Sequence, residues 1–288
     1  VILPTGKDFV SFSELQDHEK CNNKHYLKHI KKIKLYKETV HTEFGNSVHS
    51  VLECFLKNQD MDYEMAEKEI RDRWKKYNLD GFEVIGKNEE VLEIRNVDWY
   101  VRAIKRVLEE IPMFLDLTFP GWTTVSAEER LYEKLPSSFD GLFFKGFIDA
   151  VIKTGPEYEP VYYILDWKSS ENGWKDWKKR DKMTNYQPIY YREFWSAKNK
   201  LKRHNIKCGF VILSYGENVK GPKCELLLIK PTRGKRVGAL KVIKDLVSSV
   251  TSEEEPKKTT RTIQGWDNCK YCDYANTEYC DGWKKNEK

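Results

Sequence analysis

From Val48 to Leu56 the apolar residues Val48, Val51, Leu52, Phe55 and Leu56 recur at intervals of three and four, which places them on one stripe of a helix opened by Gly45-Asn46-Ser47. The same spacing predicts helices over about 61–77 and about 89–111, the latter through Val91, Leu92, Ile104, Val107, Leu108 and Ile111. Pro112 and Pro120 bracket the exit from this helical stretch. An earlier helix starts at Ser13, a suitable N-cap with Gln16 in the capping-box position, and runs through Cys21 to Tyr26. If it continues, Lys24, Lys28 and Lys31 share a face. Beyond Trp122 the period drops to two and predicts strands over 123–133, 142–153, 161–167, 208–215 and 224–230, with turns such as Ser137-Ser138-Phe139-Asp140-Gly141 between them. Long helices are expected over about 183–203 and 235–250. This order describes one α/β domain over 1–288, with a helical region 13–115, a sheet-bearing core 122–230 and a C-terminal segment 235–288 that holds a helix and a group of cysteines.

Composition narrows the class. At 288 residues, with 40% hydrophobic and 33% charged, the chain excludes collagen, low-complexity disorder and a small disulfide scaffold. No apolar run approaches the roughly 20 residues of a membrane helix, so a soluble protein with no membrane partner is expected. The net charge of +5 says little as a sum, but its distribution is uneven. Lys20–Lys37 carries +7 and Gly173–Lys207 carries +8, which leaves the rest of the chain at −10. Two basic strips on an acidic body suit a polyanion, although lysine-rich helices also have ordinary solvated faces. The start Val1-Ile2-Leu3-Pro4 lacks a signal-peptide pattern and the seven cysteines are an odd number. A reducing cytoplasmic setting is therefore expected, and thiols that bind metal rather than pair as disulfides.

The most informative chemistry lies in the strands. Gly146-Phe147-Ile148-Asp149 is followed by Asp166-Trp167-Lys168. In a strand Asp166 and Lys168 share a face and Trp167 points to the other, while Asp149 would lie on the preceding strand. Two adjacent carboxylates repel unless a cation lies between them, and Mg²⁺ or Mn²⁺ suits such hard oxygen ligands better than Zn²⁺. A lysine beside such a cation can help orient or deprotonate a water, or stabilise charge on a phosphate oxygen, which fits metal-assisted phosphodiester hydrolysis. By itself Asp-x-Lys is common and carries little.

Gly45-x-x-x-His49, Gly146-Phe147-Ile148-Asp149, Asp166-Trp167-Lys168-Ser169-Ser170 and Gln187-x-x-x-Tyr191, preceded by Ser11-x-Ser13-x-Leu15 before Cys21, stand in the order and spacing of one family. The chain resembles the RecB-like branch of the PD-(D/E)xK nucleases over nearly its whole length. That resemblance implies a restriction-endonuclease-like α/β core, a mixed sheet flanked by helices, with an N-terminal helical insertion. It implies that His49, Asp149 and Asp166 hold the metal together with the backbone carbonyl of Trp167, that Lys168 is the catalytic lysine beside Asp149 and Asp166, and that Gln187 and Tyr191 contact DNA and help organise the site. Ile148 stands where the superfamily's name has proline. Pro188 follows Gln187, so the helix there is expected to begin near Tyr186. One of Glu128 and Glu129, on the strand before Asp149, could also face the site.

Cys269-x-x-Cys272 and Cys280 leave a tetrahedral thiolate set one short, and Cys21 is the candidate fourth. Thiolates suit both zinc and iron–sulphur. In the RecB-like enzymes this one-plus-three arrangement holds a [4Fe–4S] cluster, which the resemblance therefore implies here, with a structural role. Cys54, Cys208 and Cys224 look like core thiols. After the lysine motif, Trp174, Trp177, Lys178, Lys179 and Arg180 interleave rings and cations in a pattern suited to single-stranded DNA, against which stands simple packing of the tryptophans beneath a loop. The Lys24, Lys28, Lys31 face would form a second wall. No Gly-x-x-x-x-Gly-Lys-Ser/Thr loop is present, so a helicase would be a separate partner. The expected activity is that of a divalent-metal-dependent DNA exonuclease on single-stranded DNA or DNA ends. A non-catalytic DNA-end-binding adaptor, and an endonuclease trimming DNA within a CRISPR-adaptation or recombination complex, remain as alternatives.

Overall fold

The computed structural model describes residues 2–35, 38–85, 91–217, 219–252, 269 and 272–281. The chain divides into two compact units, one made of 1–37, 130–146 and 231–288, the other of 38–129 and 147–230. Among the described residues no helix is long and apolar enough to cross a membrane.

In the first unit, β1 (Phe9–Ser11) ends where Ser11 caps α1 (Phe12–Lys20) by accepting from Glu14 N. The helix therefore starts two residues ahead of the expected Ser13 cap. It does not run through to Tyr26 either, because Cys21 is fully extended at φ −166° and separates α1 from α2 (Asn22–His25), which continues as a π-helical turn over Tyr26–Ile30. Lys24 is half-buried and Lys28 and Lys31 are exposed, and Lys24 and Lys28 share an acidic partner. They reach back at 3.0 and 2.8 Å to the buried Asp17, which His29 Nε2 also meets at 3.0 Å. Burial by itself would raise the Asp17 carboxyl, but the His29 hydrogen bond and the two lysines hold it well below the usual carboxylate range.

In the second unit, α3 (Val40–Asn58) begins at the Thr39 cap, so Gly45 lies inside the helix rather than opening it. A Cβ at Gly45 would stand 3.3 Å from Ser169 Oγ, so its lack of a side chain lets α3 pass close to the strand bearing Asp166. α4 (Tyr63–Lys76) follows from an Asp62 cap. The expected 89–111 helix is divided. Val91 and Leu92 belong to β3 (Val91–Arg95), which pairs antiparallel with β2 (Phe82–Ile85), and only after the Asn96 cap does α5 (Val97–Thr118) begin. Pro112 lies within α5 rather than at its exit. The helix continues past it because Leu115 and Phe119 are buried in the same core as Ile104, Leu108 and Ile111.

The sheet contains β4 (Thr123–Lys134), β5 (Phe143–Thr154), β6 (Val161–Ser170), β7 (Ile206–Ser214) and β8 (Cys224–Leu228). β5 pairs with β4 and, at Phe143–Lys145, runs parallel to β1. From Ala150 to Thr154 it pairs antiparallel with β6; β6 is parallel to β7, and β7 antiparallel to β8. The parallel step is made through the short α6 (Asp176–Lys179) and the long α7 (Lys182–Lys198). Asp181 caps α7, whose first residue Lys182 lies four residues ahead of the expected start at Tyr186, and Pro188 is held inside the helix. One core joins α3 and α5 to Ala150, Ile152, Leu165, Trp167 and Val211 of the sheet. Finally, α8 (Arg233–Thr251) packs on α1 in the first unit.

Candidate metal centre and active site

The pairing of β5 with β6 ends at Ala150 opposite Leu165, so the next residues along, Asp149 and Asp166, are cross-strand neighbours. Trp167 is buried in the α3–α5 core, as alternation requires, and its backbone N–H donates to Asp149 Oδ2 at 2.7 Å. Asp166 is 2% exposed on the side of α7. Its Oδ1 accepts from Gln187 Nε2 at 2.7 Å, and Gln187 Nε2 also donates to Tyr191 Oη at 3.1 Å, one helical turn on. Lys168 Nζ lies 2.5 Å from the buried Asp166 Oδ2, a close ion pair.

From α3, His49 Nδ1 comes within 3.4 Å of Asp149 Oδ2 and 3.8 Å of Glu128 Oε1. Glu128 enters the site because its backbone is left-handed at φ +48°, which interrupts the alternation of β4. Glu129 is directed elsewhere and binds Lys198 at 2.6 Å and Trp195 Nε1 at 2.8 Å. Sequence alternation narrowed the choice to the pair but could not select Glu128, since the bulge that aims it carries no glycine or proline to announce it.

The donor set fits a hard divalent cation. Ligand atoms of His49, Glu128 and Asp149 lie within 4.8 Å of one another, and Asp166 beside Asp149 adds a further carboxylate. The electrostatics point the same way. Burial pushes the Asp166 carboxyl up to about 7, with Lys168 opposing and Asp149 adding to the rise. For His49, burial would depress the ring, but the charge of Asp149 and hydrogen bonds to Asp149 and Glu128 raise it to about 10. The carboxylates therefore draw in protons where a cation would otherwise balance them. Lys168 is raised as well, Asp166 and Asp149 outweighing its desolvation, so its amine is held as the ammonium. Such a group can donate to a phosphate oxygen or a water.

The sequence model of the PD-(D/E)XK nuclease superfamily matches residues 10–280. The chain belongs to that superfamily. Membership implies a divalent-metal-dependent nuclease with DNA as its substrate, and the mixed sheet flanked by helices is the corresponding fold. A solved structure named "Crystal structure of SSO0001" is similar over 91% of this chain and 92% of that one, at 11% identity and a TM-score of 0.34, too low to carry an argument. No curated protein sequence matches significantly.

In this PD-(D/E)XK chain several of the residues expected to meet DNA make contacts within the protein. Trp174 packs on the buried Phe210 at 5.0 Å between ring centroids, whereas Trp177 is 43% exposed. Lys178 donates to Thr184 Oγ1 at 3.1 Å, Lys179 pairs with Glu225 at 2.5 Å, and Arg180 pairs with Asp176 at 3.2 Å on the surface. Gln187 and Tyr191 are buried, their polar ends directed at each other and at Asp166. Cys208 and Cys224 are core thiols, while Cys54 is half-buried. Cys21, Cys269, Cys272 and Cys280 are half-buried cysteines in the first unit. Cys272 N donates to Cys269 O at 3.2 Å, and the buried Tyr274 donates to Ile33 O at 2.6 Å, which ties the C-terminal cysteine segment to the residues that follow Cys21. Lys24, three residues from Cys21, also feels the charge of Cys272 and Asp273.

Proposed function

We propose that this chain is a RecB-like exonuclease that hydrolyses single-stranded DNA or the strands of opened DNA ends. The observation that carries it is the convergence of His49, Asp149 and Asp166, joined by Glu128, with Lys168 held as an ammonium at the edge of the same carboxylate group. These four residues and the Trp167 carbonyl would hold Mg²⁺ or Mn²⁺. A cation bound there supplies positive charge for the phosphate oxygens and lowers the pKa of a water to be used as nucleophile. Lys168 donates to a non-bridging phosphate oxygen, and its charge offsets the charge that develops as water forms one P–O bond and another breaks. Gln187 orients Asp166, Tyr191 orients Gln187, and the Trp167 N–H keeps Asp149 turned toward His49.

Cys21, Cys269, Cys272 and Cys280 are proposed as ligands of a [4Fe–4S] cluster. The docking of Tyr274 on Ile33 supports it by bringing the two cysteine-bearing segments together. Its role is structural, since closing so long a loop restricts the unfolded chain by about a few kcal/mol. Exposed Trp177, with Arg180 nearby in sequence, is the part of the basic strip proposed to meet DNA. A cytoplasmic setting and a separate helicase, recombination or CRISPR-adaptation protein as partner accord with this activity.

Anaerobically purified protein, its visible absorbance recorded, is incubated with 5′- and 3′-labelled strands and with circular single strands. Linear strands should be degraded only with Mg²⁺ or Mn²⁺ and circles left intact, and Lys168→Ala and Asp166→Ala should be inactive. Cleaved circles would establish an endonuclease instead, and an inert wild-type protein that binds ends an adaptor. Full activity in either variant would refute the site assignment.

A further inference from the structure

A second group of aromatic and basic residues lies in the first unit, on the face of β1, β4 and β5 turned away from its core. The parallel register sets Phe9 beside Phe143 and Ser11 beside Lys145. Tyr132 stacks on Phe143 with ring centroids 4.7 Å apart and planes within 18°, and meets Phe9 edge-on at 5.9 Å. The alternate residues Val10, Leu142 and Phe144 are fully buried on the other side, so the core does not account for Phe9, Tyr132 and Phe143, all half-buried. Three cations lie over these rings: Lys145 at 4.9 Å and Lys7 at 5.6 Å from the Phe9 centroid, and Arg130 at 5.4 Å from that of Tyr132. Two nearby carboxylates are already bonded, one of them to Lys7. Asp8 accepts from the Tyr132 hydroxyl at 2.5 Å, and Glu14 is buried and pairs with Lys7 at 3.0 Å.

We propose that this ring-and-cation face is a binding track for single-stranded DNA, separate from the Trp174–Arg180 strip. Stacking on a ring tolerates any base because every base has a π-face, and cations at the rims meet the phosphates. The ring contacts, the charge and the absence of a core role together select a flexible polyanion with exposed bases over a duplex, whose bases are stacked internally, and over an apolar partner, which the cations would repel. The track rests on the nuclease reading for its purpose. β5, which carries Phe143 and Lys145, is also the strand that carries Asp149.

Binding of a fluorescent oligo-dT strand and of an abasic strand of equal length is measured by anisotropy on the full chain with a chelator present, so that nothing is cut. Tyr132→Leu should weaken dT binding about 5- to 150-fold, from stacking energies of ~1–3 kcal/mol per base, and leave abasic binding unchanged. Tyr132→Phe, which keeps the ring and loses the bond to Asp8, should bind dT like the wild type. Lys145→Gln should lower the log–log salt slope by about 0.7 for both strands. A folded Tyr132→Leu protein that binds dT as tightly as the wild type, or loses dT and abasic binding equally, overturns the track. Should Tyr132→Leu not fold, Phe9→Leu decides by the same comparison. Mg²⁺-dependent cleavage by the wild type is assayed separately: its absence defeats the nuclease reading, whereas intact cleavage with an unaltered Tyr132→Leu affinity defeats only the track.

Discussion

Replacing Gln187 by alanine separates orientation of a metal ligand from ligation itself. The Gln187 amide donates to Asp166 Oδ1 at 2.7 Å from a buried position, within the distance range of a charge-assisted bond. A hydrogen bond to an ionised group contributes about 1.5–3 kcal/mol, which converts to roughly 10- to 150-fold in an equilibrium that depends on that carboxylate. Loss of a partner that orients a ligand typically costs about 10–100-fold in metal affinity or activity, so two independent estimates agree. The cleavage rate of a labelled single strand is titrated with Mn²⁺ at pH 8, above the value of about 7 to which burial lifts Asp166. In Gln187→Ala the half-saturating Mn²⁺ concentration should rise about 10–100-fold, and the rate at saturation should return to within a few-fold of wild type. An unchanged half-saturating concentration in a folded variant would refute the idea that Gln187 acts through Asp166. A rate that never recovers would place the amide on the substrate instead.

Two further tests address the charges. In metal-free protein, Asp166 (raised to about 7) and His49 (raised to about 10) bind protons more tightly folded than unfolded, so their contribution to stability is present at low pH and lost as pH rises through those values. Mn²⁺ should therefore raise the melting temperature far more at pH 8 than at pH 5, and an equal rise at both would contradict the assignment. In the first unit, Asp17→Asn removes the charge that holds Lys24, Lys28 and His29 and should cost about 3–5 kcal/mol in urea unfolding, as for breaking a buried ion network. A loss below about 1 kcal/mol would show that these lysines are readily rehydrated.

Periodicity located the central strands and the helices α3, α4, α7 and α8 because each buries a recurring set of apolar residues. It failed at Val91 and Leu92, where a short hairpin leads into α5: a four- or five-residue strand gives too few alternations to compete with the helical pattern that follows. It also failed at the prolines. Pro112 and Pro188 sit inside α5 and α7, where burial of flanking residues outweighs one missing backbone hydrogen bond. The three-residue β1 was invisible for the same reason as the hairpin.

By itself the sequence placed Asp166 and Lys168 on one face of a strand, because alternation dictates which side chains point the same way, and its resemblance to a nuclease family supplied His49 and Asp149 as their expected companions. Tertiary structure decided how those groups are used. The left-handed turn of the chain at Glu128 adds a fourth potential ligand, α7 directs Gln187 at Asp166, and the fold of the first unit pairs Lys24 and Lys28 with Asp17 while setting Phe9, Tyr132 and Phe143 together on an outer face. These relations join residues far apart in the chain through backbone conformation and cross-strand register, neither of which a one-dimensional pattern of residue types specifies.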